Sequence, residues 1–153
     1  MADGSEPKGD EVVPDRGREP GVALRPAVLT KRAQFLAVAA TRKRVAMPTV
    51  VVQIRRQTET EIADGAPVVR YGLTASKKVG NAVARNRARR RLRALAWSVL
   101  PMAVPSHHDV VLIARAETAT CPAVQLRRDL EAALGRLARG ARLAGADRGE
   151  PSA

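Results

Sequence analysis

Three segments in the middle of the chain carry the apolar patterns of β-strands. Thr49–Arg56 and Val68–Ser76 alternate apolar with other residues, which is typical of strands with one buried face. His108–Arg115 is almost continuously apolar, as expected of a strand buried on both faces. The residues that share one predicted face are Val50, Val52 and Ile54 in the first strand and Val69, Tyr71, Leu73 and Ala75 in the second. The polar segment between these two strands is predicted to be a loop.

Two segments before the third strand have helical spacing. Thr30 is predicted to cap a short helix that contains Phe35. A long helix is predicted from Ala82 to Leu100, where Pro101 and Pro105 would end it.

A last helix is predicted after the third strand, and Thr120 and Pro122 would open it. Its amphipathic stripe comprises Leu126, Leu130, Leu134 and Leu137. The predicted order of elements is therefore α-β-β-α-β-α, which indicates an α+β fold.

A chain of 153 residues, 45% of them hydrophobic, is long enough for one folded domain. Residues 1–24 are acidic, rich in Pro and Gly and without periodicity, so they are predicted to be a disordered tail. Residues 140–153 are predicted to be a flexible C-terminal tail, which leaves 25–139 as the domain. The sequence shows neither an apolar run of about 18 residues nor a secretory signal, and its single cysteine, Cys121, has no internal partner. These features predict a cytoplasmic protein.

The formal charge of +12 is unevenly distributed along the chain. Residues 1–19 hold six acids and three bases, a charge of −3, so the remainder of the chain carries +15. A folded body this basic repels itself unless it meets a polyanion, which makes nucleic acid the leading partner. An anionic membrane surface is the second candidate, but the basic helix lacks the face rich in Trp, Phe and Leu that membrane-surface helices use.

The charge is densest in Ser76–Leu95, where eight of twenty residues are Lys or Arg and none is acidic. On the predicted helix one apolar stripe would dock on the sheet, and it comprises Ala88, Leu92, Leu95, Ala96 and Val99. The arginines occupy the remaining circumference. Like charges three and four residues apart cost roughly 0.2–0.5 kcal/mol per pair. A partner that supplies the counter-charge removes this cost.

A solvated basic face is the alternative interpretation of this helix, but a run of bases without any acid favours a phosphate-binding surface. Arginine suits phosphate because its planar guanidinium donates two parallel hydrogen bonds. Charge alone does not distinguish RNA from DNA. Zinc-finger spacing, a leucine heptad and the aromatic signature of an RNA-recognition motif are all missing from the sequence.

The segment Gly72–Arg93, GLTASKKVGNAVARNRARRRLR, closely resembles the signature of the protein component of bacterial ribonuclease P. Similar matches are LTKRAQFLAV, PTVVVQ, HDVVLIAR and LRRDLEAALGRL, so the resemblance covers about residues 29–139. It implies a single-domain α/β sandwich like the second domain of ribosomal protein S5, in which the basic helix forms a left-handed βαβ crossover. This hand is opposite to the usual one.

The resemblance also implies a function. The chain would be the protein subunit of an endoribonuclease that removes the 5′ leader from precursor tRNA. The partners would be the catalytic ribonuclease P RNA and precursor tRNA. The RNA would hold most of the catalytic Mg²⁺, and the protein would contact the leader in a cleft.

Family positions carry over to this chain residue by residue. The residues implied to bind the catalytic RNA are Lys77, Lys78, Gly80, Asn81, Arg85, Asn86, Arg87, Arg89, Arg90 and Arg93. Arg91 stands where relatives often have an apolar residue and is taken as auxiliary. The residues implied to bind the leader are Lys31, Arg32 and Phe35. Ala39 and Gln53 replace two aromatic residues that are frequent in relatives, so base stacking should be weak. We expect contact with the leader to rely on Arg42, Lys43 and Arg44 as well.

The sequence shows no catalytic or metal site of the protein's own. His107 and His108 would diverge in an extended segment, zinc-ligand spacing is missing, and the few carboxylates are scattered. Neither a membrane nor a small-molecule substrate is expected as a partner. Two alternatives stay open beside the ribonuclease P subunit: a ribosomal or general structured-RNA-binding protein without a role in cleavage, and a stand-alone nuclease.

Overall fold

The computed structural model describes residues 26–149, with side chains up to residue 140 in the last helix. In this part of the chain, five strands form one mixed sheet in the order β1-β4-β5-β3-β2. The strands are β1 (Ala27–Val28), β2 (Arg44–Ala46), β3 (Val50–Arg56), β4 (Val69–Thr74) and β5 (His108–Ala114). β3 pairs with β2 and β5 in antiparallel fashion, whereas β4 pairs with β1 and β5 in parallel.

Within residues 26–149, four α-helices accompany the sheet. They are α1 (Arg32–Ala40), α2 (Glu59–Ala63), α3 (Ala82–Ala103) and α4 (Ala123–Gly149). Because α3 connects the parallel neighbours β4 and β5, these three elements form a βαβ unit. The predicted α-β-β-α-β-α order is confirmed by α1, β3, β4, α3, β5 and α4.

The main core lies between one face of the sheet and helices α3 and α4. Alternate residues of each strand point into it, since successive side chains of a strand lie on opposite faces. The sheet contributes Val50, Val52, Ile54, Val69, Tyr71, Val110 and Leu112. The leucine stripe of α4 and the apolar stripe of α3 cover them, although Leu95 is only partly buried. The strand faces predicted for β3 and β4 are therefore confirmed.

Helix α1 covers part of the opposite face of the sheet. A small second core joins Leu29 and Val38 to Val111 of β5, with Phe35 and Ile113 packed against it. Helices on both faces of a mixed sheet confirm the predicted α+β sandwich.

Several local predictions differ from the structure. Thr30 does not cap α1; Lys31 is the N-cap residue, and the Gln34 side chain accepts hydrogen bonds from the backbone N–H groups of Thr30 (3.0 Å) and Lys31 (2.9 Å). Pro101 lies inside the last turns of α3 instead of ending it, and the helix stops at Ala103. The short elements β1, β2 and α2 were not predicted, because two to five residues are too few to show a periodic pattern.

The predictions for the two ends of the chain have different outcomes. The predicted acidic tail, residues 1–24, lies outside the described residues. Helix α4 continues to Gly149, so residues 140–149 are helical although the sequence predicts a tail there. The flexibility of residues 140–153 stays a prediction.

A buried ion network ties the three central strands together on the α1 side of the sheet. Asp109 of β5 lies directly between Arg55 of β3 and Arg70 of β4 in the strand register. Its carboxylate accepts hydrogen bonds from Arg55 Nη1 (2.8 Å), from Arg70 Nε (2.8 Å) and Nη2 (2.9 Å), and from Gln57 Nε2 (3.1 Å). The hydrogen bond with Asp109 is the main reason that the pKa of Arg70 is raised, so its charge is permanent.

Glu61 of α2 completes this network. Its carboxylate pairs with Arg55 at 2.8 Å and with Arg70 at 3.5 Å. Burial acts to raise the pKa of Glu61, but hydrogen bonds from the Thr58 backbone and from Arg55 outweigh burial and lower it. Two acids thus balance two arginines, so the network carries no net charge.

Candidate nucleic-acid interface

The turn that leads into α3 is built by backbone geometry and caps. Gly80 has φ +142°, a conformation that favours glycine, and a Cβ there would lie 3.0 Å from Cβ of Ala84. Asn81 is the N-cap residue, since its side-chain oxygen accepts a hydrogen bond from the N–H of Ala84 at 2.9 Å. Lys77 and Lys78 are exposed in the preceding 3₁₀ turn (Lys77–Val79). Gly80 and Asn81 therefore have structural roles in addition to any contact with RNA.

The exposed side of α3 carries a row of arginines. Arg87, Arg90 and Arg93 are exposed, and within residues 26–149 their guanidinium groups have no hydrogen bond or ion pair. Arg85 and Arg89 are half-buried, and each makes a hydrogen bond within the protein. Arg85 Nη1 donates to the Gly80 carbonyl oxygen at 3.0 Å, and Arg89 Nη1 donates to Asn86 Oδ1 at 3.1 Å.

Acidic side chains do not neutralise this surface. The ion pairs found in the described part of the chain join Arg55 and Arg70 to Asp109 and Glu61, Arg56 to Glu59, and Arg127 to Glu131. None of them includes a base of residues 77–93. We name the exposed side of this segment, which carries Lys77, Lys78, Asn86, Arg87, Arg90 and Arg93, the basic face.

Arg91 does not belong to the basic face. It is half-buried, and its guanidinium donates to the carbonyl oxygens of Thr118 (2.8 Å) and Cys121 (2.7 Å) in the segment between β5 and α4. This arginine ties that segment to α3. The family resemblance sets Arg91 apart as auxiliary, but helical periodicity does not separate it from its neighbours. The position of the β5–α4 segment decides where its side chain goes.

Replacing Arg91 with leucine is expected to lower the free energy of unfolding by about 1–3 kcal/mol, because two carbonyl groups lose their charged donor. Urea denaturation measures this change. The salt dependence of RNA binding should not change. The matched control is Arg90→Leu, for which we expect the reverse: little loss of stability and weaker RNA binding. Equal losses of stability in both variants would contradict the structural role of Arg91.

Helix α1 presents the residues predicted to contact the leader. Lys31 and Arg32 are exposed at its N-terminal end, and Phe35 is half-buried. The ring of Phe35 lies against Gly72 of β4 so closely that a Cβ on Gly72 would be 2.6 Å from Cζ of Phe35. Glycine at position 72 therefore lets the aromatic ring rest directly on the sheet.

An edge of the sheet adds bases beside α1. Arg42, Lys43 and Arg44 are exposed between α1 and β3, and Arg42 has φ +60°. Arg44 of β2 is paired with Gln53 of β3, so their side chains share one face of the sheet. This is the α1 face, because Gln53 alternates with the core residues Val52 and Ile54. The sequence does not reveal this pairing, since β2 has only three residues.

The two predicted sets of site residues lie on different sides of the sheet. α1 packs on the face that contains Val111, whereas α3 packs on the face that contains Val110. The basic face and the surface around Phe35 can therefore be altered independently.

We also searched the described part of the chain for metal-binding, titratable and membrane-spanning features. Residues 26–149 contain no group of three or more His, Cys, Asp or Glu side chains that could hold a metal ion. His108 is buried, and this burial lowers its pKa, so the imidazole is neutral at neutral pH. Within the same residues, every helix is too short or too polar to cross a membrane.

Comparison with known proteins gives consistent matches. The family model described as Ribonuclease P matches residues 24–138. The "Ribonuclease P protein component" of Paramagnetospirillum magneticum is 46% identical over 109 residues, which are 71% of this chain and 80% of that protein. The protein of the same name from Caulobacter vibrioides is 44% identical over 110 residues, which are 72% of this chain and 70% of that protein.

Solved structures show the same fold. The RNase P protein of Staphylococcus aureus superimposes with a TM-score of 0.57 at 26% identity, over 72% of this chain and 94% of that one. The RNase P protein of Thermotoga maritima gives a TM-score of 0.57 at 25% identity, over 71% of this chain and 94% of that one.

Proposed function

Because the chain belongs to the family of bacterial ribonuclease P proteins, we propose that it joins the catalytic ribonuclease P RNA and helps it remove the 5′ leader from precursor tRNA. The chain is a protein subunit of an endoribonuclease that processes tRNA. The proposal concerns its partners and the surfaces that bind them. We place the assembled particle in the cytoplasm.

The basic face is the surface proposed to bind the catalytic RNA. The single observation that carries this assignment is the row of exposed guanidinium groups on a helix anchored by its apolar side, which make no ion pair with an acid among residues 26–149. Holding these charges together is unfavourable in the free protein. Folded RNA supplies the phosphates that remove this repulsion, and each contact releases counterions. The proposed contacts are Lys77, Lys78, Gly80, Asn81, Arg85, Asn86, Arg87, Arg89, Arg90 and Arg93.

The surface around α1 is proposed to bind the 5′ leader. Phe35 provides one ring for stacking on a base of the leader. Lys31 and Arg32 provide positive charge for the phosphates of the leader. Ala39 and Gln53 provide no further ring, whereas Arg44 stands beside Gln53 on the same face. Leader binding in this protein therefore depends more on charge than on stacking.

Magnesium is proposed to act in the particle through the RNA. The acidic side chains in residues 26–149 do not form a set that fits a metal ion, and the acids around Asp109 are already occupied by arginines. No step of the reaction is assigned to a metal held by this chain. Its own residues bind and orient RNA, and their positive charge reduces the repulsion between phosphates of the two RNA molecules.

Reconstitution tests the proposal. The full chain should increase cleavage of a precursor tRNA by a bacterial ribonuclease P RNA at low Mg²⁺, where the RNA alone is slow. A matched precursor with a leader of one nucleotide should benefit less. Unchanged RNA-alone rates would refute the assignment of partners. Equal affinity for ribonuclease P RNA and unrelated folded RNAs, without an effect on cleavage, would instead favour a general RNA-binding protein.

Replacing Phe35 with alanine is expected to weaken binding of the full-length precursor to the holoenzyme about fivefold, as loss of one weak stacking contact of about 1 kcal/mol would do. Assembly with the catalytic RNA should be unchanged, because α1 and α3 lie on different sheet faces. Equilibrium binding of precursors with long and short leaders measures the effect.

The matched control is Leu36→Ala, which removes a side chain that is 54% exposed on the same helix. We expect it to leave leader binding unchanged. If Phe35→Ala weakened precursor binding and RNA assembly equally, the defect would be in folding, and the leader assignment would be wrong.

A further inference from the structure

Trp97 is exposed on α3, one helical turn beyond Arg93, the last arginine of the basic face. It is the only tryptophan of the chain and is 43% exposed. At 3.6 residues per turn, Asn86, Arg90, Arg93 and Trp97 fall within an arc of about 60°. Trp97 therefore continues the same row, roughly 6 Å along the helix axis from Arg93.

The indole ring is held in place by the core. Trp97 Nε1 donates a hydrogen bond to the hydroxyl oxygen of Tyr71 at 3.1 Å. Tyr71 is 1% exposed and packs in the main core, so its hydroxyl is a fixed acceptor. The N–H of the indole is thus bonded inside the protein, whereas 43% of the residue stays exposed.

An anchored aromatic side chain beside guanidinium groups is typical of surfaces that bind single-stranded nucleic acid. Arginines hold the sugar–phosphate backbone, and an aromatic ring stacks on a base without regard to its identity. Sequence-specific and loop contacts in RNA also use unstacked bases on aromatic side chains. We propose that Trp97 is a further RNA-contact residue, which stacks on an unpaired base of the catalytic RNA at the C-terminal end of the basic face. This inference rests on the proposed function.

Because the chain has one tryptophan, its intrinsic fluorescence reports on Trp97 alone. Fluorescence quenching by acrylamide compares the accessibility of Trp97 in the free protein and in the particle reconstituted with ribonuclease P RNA. We expect the quenching constant to fall at least about twofold on assembly, because a stacked base covers the ring. An unchanged constant in a fully assembled particle would overturn the proposal, whether or not cleavage is stimulated.

Variants separate stacking from positioning. Trp97→Ala should lower the affinity for the RNA about 5- to 30-fold, as loss of one base-stacking contact does. The slope of log affinity against log salt should stay the same, since no phosphate contact is lost. Trp97→Phe should keep most of the affinity, because it retains a ring. A reduced salt slope in Trp97→Ala would show that the tryptophan only positions an arginine, and the stacking proposal would be wrong.

Met102→Ala is the matched control, because it truncates an apolar side chain that is 82% exposed on the same helix but outside this row. It should bind RNA as the unaltered protein does. Equal losses for Trp97→Ala and Met102→Ala would contradict a specific stacking contact. The Phe35 and reconstitution experiments remain independent, so the proposed function can stand even if Trp97 makes no contact.

Discussion

Replacing Arg87 and Arg90 together with alanine is expected to weaken association with ribonuclease P RNA by about 100-fold at moderate salt. Two charge-assisted contacts at the low end of their range, near 1.5 kcal/mol each, give this magnitude. The slope of log affinity against log salt should fall by roughly 1.4–1.8, which is 0.7–0.9 for each lost phosphate contact. Filter binding or fluorescence anisotropy over a salt series measures both quantities.

The matched control removes the same charge from another helix. Arg128 and Arg136 are exposed on α4, and their double replacement with alanine should cost much less affinity. If the two double variants lost affinity equally, the effect would come from net charge, and the basic face would not be a specific surface. Normal binding by the Arg87→Ala/Arg90→Ala variant would remove α3 from the interface altogether.

Replacing Asp109 with alanine is expected to lower the free energy of unfolding by about 3–5 kcal/mol. Asp109 is 0% exposed and accepts hydrogen bonds from both Arg55 and Arg70. Without it, two guanidinium groups stay largely buried with only the partly exposed Glu61 for balance. An uncompensated buried charge costs this much because the rest of the protein solvates it poorly. Urea denaturation measures the loss.

A surface ion pair supplies the control. The Arg56–Glu59 pair is exposed, with 3.8 Å between Nη2 and Oε2, and Glu59→Ala should change stability by no more than about 1 kcal/mol. A second variant with leucine at both Asp109 and Arg70 should recover part of the loss, since the number of unpaired charges falls. Similar losses for Asp109→Ala and Glu59→Ala would show that the buried network contributes no more than a surface pair.

The position of this network matters for the proposed leader surface. Arg55, Arg70 and Asp109 lie on the same sheet face as Gly72, on which Phe35 rests. Loss of this network should therefore disturb the sheet surface on which Phe35 rests before it disturbs α3. We expect a destabilised Asp109 variant, under conditions where it is still folded, to lose leader binding before it loses RNA assembly.

Periodicity in the sequence determined the large elements. Long apolar patterns in β3, β4, β5, α3 and α4 predicted their type and their buried faces, because burial on one side forces a repeat of two or 3.6 residues. The same repeat placed the arginines outside the apolar stripe of α3, and of these Arg87, Arg90 and Arg93 are exposed. The motif in Gly72–Arg93 then predicted the family.

Only the tertiary structure decided which polar side chains pair and which stay exposed. Arg91 became a structural tie, Arg44 became the neighbour of Gln53, and Asp109 became the partner of two arginines. These pairings join residues that are far apart in the chain or sit in strands of three residues. A local pattern records how a residue faces its own helix or strand. A local pattern does not show which distant carbonyl group, carboxylate or aromatic ring will come into contact with that residue when the elements pack together.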